Sequence, residues 1–326
     1  MENIVKLSAD DRKEMFQEAA YRKEMPPAIM EKDFWVCWVL KKIFADEYLS
    51  NIMLFKGGTS LSKVFKVIER FSEDIDLILD WRLLTESDPF ALMSGTKQAK
   101  MNKAIDEMAA AFISGELREK ISTVLSPVCL VEEDKKDHHI LHVAYPDSFP
   151  DEYIAPRVKL EIGPLASWVP NDRYEITPYL HDVFPQQMKD CKCTLKSIKA
   201  ERTFWEKVTI LHHEAHRPES SPVPIRYSRH YYDMFMLSKS FVKESALKDV
   251  KLLESVVAFK NRFYPRGWAR YDLAVPGTMK LIPPDHVLKF MERDYREMKN
   301  MIFGNYPSFD DIVNGLLTLE KEINTV

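Results

Sequence analysis

Glycine is scarce in this 326-residue chain, with 9 in all, and cysteine scarcer, with 4. Cys37, Cys129, Cys191 and Cys193 are too few and too scattered for a disulfide framework. Cys191-Lys192-Cys193 has the form of half a metal site, but no second cysteine pair completes it, so reduced thiols are expected. No run of about 18 uncharged apolar residues occurs, and no membrane-spanning helix is expected. The opening Met1-Glu2-Asn3-Ile4-Val5-Lys6 lacks the basic, apolar and small-residue succession of a secretory signal, which points to the cytoplasm. An excess of positive charge is missing too. The formal net charge is -4, which argues against a broad sheath on nucleic acid while leaving room for a local basic groove. Neither Gly-x-x-x-x-Gly-Lys-Ser/Thr nor Gly-x-Gly-x-x-Gly occurs, which excludes a Walker-type NTPase and a Rossmann dehydrogenase by signature. His212-His213-Glu214-Ala215-His216 sets two histidines at i, i+4. It departs from His-Glu-x-x-His and offers no third ligand, so a solvated or groove-facing helix end is expected there rather than zinc.

What is present is the balance of a folded protein: 45% hydrophobic and 29% charged residues, in a length that suits one large domain or two ordinary ones. The first 45 or so residues read as helices, with a cap at Ser8-Ala9-Asp10-Asp11 and a broadly apolar helix around Met30–Leu40. Ile52–Phe55 reads as a buried strand, and the apolar spacing of Leu61, Val64, Phe65 and Ile68 predicts a helix from Thr59 to Arg70. Over Ser72–Leu79 the residues alternate, with Ile75, Leu77 and Leu79 on one face and Asp74 and Asp76 on the other. A polar helical stretch over about 81–127 precedes two strands, Val128–Glu132 and Ile140–Tyr145, joined by a charged hairpin loop. Arg157–Gly163 is a further strand, carrying Lys159 and Glu161 on one face, and Gly163–Pro185 is irregular or holds short strands. From Glu201 the pattern turns helical. Phe204, Val208, Leu211 and His212 share a face, Tyr232, Phe235, Met236 and Phe241 another, and the tail helix breaks at Gly304-Asn305-Tyr306-Pro307. The expected division is 1–197 and 198–326.

Two of the nine glycines stand together at Gly57-Gly58, between a strand and a helix. Glycine lets the backbone approach a ligand with no Cβ in the way, and free N–H groups at a helix start favour an anion. The hydroxyls of Thr59 and Ser60 could add phosphate contacts. About 15 residues further on, Asp74 and Asp76 lie two apart on a strand, so both carboxylates leave one face and could share hard cations. Taken singly, a Gly-Gly turn is commonly just a turn, and Asp-x-Asp a solvated strand face. Their order, with strand, helix and strand between them, is that of a phosphoryl-transfer site whose two metals stand roughly 3.5–4 Å apart.

Lys56-Gly57-Gly58-Thr59-Ser60-Leu61 followed by Arg70-Phe71-Ser72-Glu73-Asp74-Ile75-Asp76-Leu77 resembles the nucleotidyltransferase family of AbiEii/AbiGii abortive-infection toxins, within the DNA polymerase β-like superfamily. Glu31-Lys32-Asp33-Phe34-Trp35-Val36, Glu201-Arg202-Thr203-Phe204-Trp205-Glu206-Lys207 and Arg229-His230-Tyr231-Tyr232-Asp233-Met234 extend the resemblance over residues 30–240. It implies an α+β fold, with a small mixed sheet and helices followed by a helical C-terminal domain. It also implies roles. Lys56, Gly57, Gly58, Thr59 and Ser60 would form the triphosphate loop. Asp74, Asp76 and, as the third carboxylate, Glu161 would hold magnesium or manganese. Lys207 would neutralise phosphate charge, and Asp233 would position the nucleotide or act as base. Asp76 or Glu161 would help activate the attacking hydroxyl. The implied substrate is an NTP, GTP or a pyrimidine triphosphate, the acceptor RNA such as a tRNA 3′ end, and the setting a toxin–antitoxin or phage-defence pair with a cognate antitoxin. A GTP- or RNA-binding module without turnover, and transfer to a protein acceptor, are the alternatives.

Overall fold

Seven strands form one mixed sheet in a computed structural model that describes residues 1–150 and 154–326. They are β1 (Met53–Lys56), β2 (Asp74–Leu79), β3 (Leu130–Glu133), β4 (Ile140–Ala144), β5 (Arg157–Gly163), β6 (Asn171–Ile176) and β7 (Cys193–Ile198), in the order β3-β4-β5-β2-β1-β7-β6. The β2–β5 and β1–β7 pairs are parallel and the others antiparallel. The expected α+β class and mixed sheet are therefore found. Two units divide the chain: Met1–Val64 with Ser72–Ile198, and Phe65–Phe71 with Lys199–Val326.

In the first unit the period of two along β2 decides which face of the sheet is dry. Ile75, Leu77 and Leu79 are fully buried and join Phe55, Leu160 and Ile162 in one core. Each such side chain contributes roughly 1.5–3 kcal/mol by leaving water. The helix Pro27–Ala45 packs on β5 and β7. Proline at its first turn suits the helix start, and its burial nearly all round matches a sequence apolar on almost every side. Leu54, Ile78 and Ile198 make a small cluster on the opposite face with Ala166 and Trp168. That face is therefore apolar at one end of β2 and acidic at the other.

The second unit is helical, built from Ala200–Ala215, Ser228–Ser238, Phe241–Leu247, Val250–Phe263, Asp285–Glu297 and Phe309–Ile323. Phe204, Val208, Leu211 and His212 are all buried, as their spacing predicts. Phe309–Ile323 packs on Ser228–Ser238 at Gly315, where a Cβ would lie 2.6 Å from the Phe235 ring. Phe241 begins a separate helix and is 65% exposed, so it does not share the buried face of Tyr232 and Phe235.

Two elements differ from the expectation. The helix predicted from Thr59 to Arg70 stops at Lys63. Lys66 takes a left-handed φ of 53°, and Phe65–Phe71 joins the helical unit as an extended piece. There Arg70 bridges Ile302, while Phe71 and Glu69 exchange main-chain hydrogen bonds of 2.7 Å with Met301 and Phe303. Long-range backbone pairing outweighs the local helical period. The second difference is β7, which lies beside β1 at a place where no strand was expected.

Candidate active site

β1 delivers the chain to the Gly-Gly turn directly beside the acidic strand. Lys56 is the Cα partner of Asp76 across the β1–β2 ladder. Gly57 follows with φ of 84°, and a Cβ built on it would lie 1.9 Å from Asp76 Oδ2. Any other residue would meet both a left-handed backbone and a collision with the carboxylate, so glycine here serves close approach. Gly57 and Gly58 are half-buried and open the short helix Gly57–Lys63. Thr59 and Ser60 are buried, and their hydroxyls face inward. Thr59 Oγ1 donates to Ser72 O at 3.2 Å and also to Asp74 O, while Ser60 Oγ donates to Gly57 O at 2.8 Å. These hydroxyls fasten the loop to itself and to β2.

Parallel pairing of β2 with β5 sets Asp76 opposite Glu161 and Asp74 opposite Lys159. Directly paired residues project from the same face, with neighbouring strands about 4.8 Å apart. Asp74, Asp76, Lys159 and Glu161 thus form one half-buried charged patch on that face, on strands in the middle of the sheet. Lys159 Nζ donates to Glu161 Oε1. Among the described residues, no group of three or more His, Cys, Asp or Glu side chains is arranged to hold a metal ion. Magnesium is usually held by one or two carboxylates, with substrate phosphates and waters completing its shell. The oxygen donors of Asp74 and Asp76, beside a glycine loop, fit such an ion. Glu161 is engaged by Lys159.

Lys207 and Asp233 meet within the helical unit. Asp233 is fully buried, and its carboxylate accepts from Arg70 Nε at 2.6 Å and from Arg70 Nη2 at 2.9 Å. Lys207 Nζ stands 2.7 Å from Asp233 Oδ2 and 3.5 Å from His230 Nδ1. Burial pushes the Asp233 carboxyl up, but Arg70 and Lys207 outweigh it and hold it below the usual carboxylate range. Burial draws Lys207 down against the pull of Asp233, and the positive charges of Arg70 and Arg229 add to the lowering. His230 is kept neutral by burial and by Lys207 beside it.

The sequence assigns Arg70, inside the motif, no role of its own. Its place at the end of an apparent helix conceals that it reaches Asp233. The histidine pair at 212 and 216 proves structural rather than solvated. His212 Nε2 meets Arg270 O at 2.9 Å, Lys280 N donates to His212 Nδ1 at 3.1 Å, and His216 Nδ1 meets His212 O at 2.8 Å. Cys191 and Cys193 are buried free thiols.

No helix among the described residues is long and apolar enough to cross a membrane. No curated protein matches the chain. Among solved structures, the chain is similar to MenT4, the nucleotidyltransferase toxin Rv2826c from Mycobacterium tuberculosis H37Rv, at 17% identity and a TM-score of 0.44, over 96% of this chain and 99% of that one. It is also similar to JHP933 from Helicobacter pylori, at 12% identity and a TM-score of 0.38, over 88% of this chain and 90% of that one. The family described as "Nucleotidyl transferase AbiEii toxin, Type IV TA system" matches residues 38–315. That span is well over half of the sequence, and the chain belongs to the AbiEii family of nucleotidyltransferase toxins.

Proposed function

We propose that this toxin moves a nucleoside monophosphate from an NTP to an RNA acceptor, a tRNA 3′ end, with magnesium or manganese held on Asp74 and Asp76. The observation that supports this reading is the close approach of the Asp76 carboxylate to Gly57, where a Cβ would lie 1.9 Å from Oδ2, so that the glycine turn and the oxygen donors are neighbours. Gly57 and Gly58 offer main-chain N–H groups to the triphosphate. Lys56 lies on the neighbouring strand, opposite Asp76. Asp233, clasped by Arg70 and Lys207, serves to hold that lysine rather than to take a proton.

The acceptor hydroxyl oxygen attacks the α-phosphorus. Its proton passes to a carboxylate of the acidic face, Asp76 or Glu161, as the bond to the β-phosphate breaks and pyrophosphate leaves with the electron pair. When bound, the ion supplies charge neutralisation on the phosphates and orients them. The residues around it hold the nucleotide still and exclude alternatives to in-line attack. GTP or a pyrimidine triphosphate is the expected donor, and a cognate antitoxin in the cytoplasm the expected partner.

The test is incubation with each labelled NTP, magnesium and total tRNA. Label joined to RNA, lost on chelation and lost in Asp76→Ala, is the expected result. Label on protein would move the acceptor to a polypeptide, and transfer that persists in Asp76→Ala would overturn the metal site.

A further inference from the structure

One helical turn of the Pro27–Ala45 helix carries three consecutive buried charges, Glu31, Lys32 and Asp33, each no more than 2% exposed. Charges in such surroundings are costly unless partnered, and all three are. Lys32 Nζ binds Glu73 Oε2 at 2.8 Å and Ala155 O at 3.1 Å. Asp33 Oδ1 accepts from Lys63 Nζ at 2.6 Å, and Asp33 Oδ2 from the main-chain N–H of Tyr179 at 2.6 Å. Lys63 also lies 3.8 Å from the centre of the Tyr179 ring. Glu31 accepts the Ser148 N–H at 3.1 Å, away from the acidic strand.

The positions of these partners along the chain give the turn its meaning. Lys63 ends the helix that begins at Gly57, and Glu73 immediately precedes Asp74. Between them the chain departs into Phe65–Phe71 and returns at Ser72. The two side chains flanking that departure are thus gripped by adjacent residues of one rigid helix. A loop and a strand separated by such an excursion have no covalent reason to stay in register. Thr59, bonded to the Ser72 and Asp74 carbonyls, is the third tie between them.

We propose that Lys32 and Asp33 are positioning residues that align the glycine loop with the acidic strand, and that they do so separately. Lys32 acts through Glu73 on Asp74, and so on the metal. Asp33 acts through Lys63 on the Gly57–Lys63 helix, and so on the nucleotide. This rests on the reading of the two segments as metal-binding strand and phosphate loop. A merely structural buried pair would lower both functions together as the fold weakens.

The experiment compares Lys32→Met and Asp33→Asn in the full chain, by amide hydrogen exchange and by transfer kinetics against NTP and magnesium. In Lys32→Met, exchange rises at residues 72–76. The magnesium needed for half-maximal rate rises on the order of tenfold, and the KM for NTP stays within about twofold. In Asp33→Asn, exchange rises at residues 57–64, the KM for NTP rises on the order of tenfold, and the magnesium requirement holds within about twofold. Where Asp33→Asn does not fold, Asp33→Leu combined with Lys63→Met replaces both charges by apolar groups and carries the same KM signature, since such pairs are often tolerated. Parallel loss of both functions, or exchange unchanged at both segments, overturns the proposal. Should Asp76→Ala retain transfer, the metal reading fails, while the exchange pattern still decides whether Lys32 and Asp33 tie the two segments.

Discussion

The acidic residues of the two units live in opposite surroundings. Asp74 and Asp76 stand half-buried on a strand face beside a glycine turn. Asp233 is fully buried and gripped by a guanidinium and an ammonium. A half-buried carboxylate keeps its oxygens within reach of solvent and its ions. A fully buried one is held by the cations of the protein, and protonating it would strand them. The same residue type is therefore a candidate ligand in the sheet and a holder of cations in the helical unit. Loss of function without loss of fold is expected from the first, and loss of fold from the second.

The strongest way to break that contrast is Asp76→Ala. Transfer should fall on the order of a thousandfold or more, the several kcal/mol that metal-assisted charge stabilisation supplies, while the thermal midpoint barely moves. A large drop in melting temperature would mean that Asp76 is a structural residue after all. Asp233→Asn should do the reverse. It leaves Arg70 and Lys207 buried around a neutral amide and should remove about 3–5 kcal/mol from urea-measured stability. Gly57→Ala sharpens the comparison from the loop side. It should cost roughly 1–3 kcal/mol in backbone strain, and it should lower transfer further by displacing the Asp76 carboxylate that its Cβ would strike.

The smallest effect is a pH dependence in the helical unit. Burial pulls His212 down to about 4, and its Nδ1 already accepts the Lys280 N–H. Between pH 6.5 and 4 the unfolded chain takes up a proton there that the folded chain refuses. Stability should therefore fall as pH drops through this window and be insensitive to His212 above it. His212→Gln should flatten the urea midpoint against pH by up to about one proton. An unchanged slope would place the titration elsewhere. His213, drawn down to about 3 by burial and by Arg266 and Arg217, adds to the same window and should account for what remains.

Much of the acidic strand was legible from residues alone. Ile75, Leu77 and Leu79 against Asp74 and Asp76 is a local period of two, and the structure puts the apolar set in the core. The short helix was legible at its start but not at its end, because Val64, Phe65 and Ile68 keep a helical spacing while serving another purpose. β7 escaped notice. Cys193, Leu195 and Ser197 are its buried alternation, yet a cysteine and a serine carry little apolar signal. The hydroxyls of Thr59 and Ser60 were expected to face phosphate and instead donate to main-chain carbonyls. Residue type says that a hydroxyl can donate, not to whom.

The order of strand, glycine turn, helix and Asp-x-Asp was written in the sequence by itself, because each depends on neighbours within a few residues. The same holds for the apolar face that buries the sheet. The partners of Lys32, Asp33, Arg70 and Lys207 were decided only by the tertiary structure. A charge in a sequence carries no address. Which opposite charge it meets depends on where distant segments are brought by packing, and burial then makes that meeting obligatory.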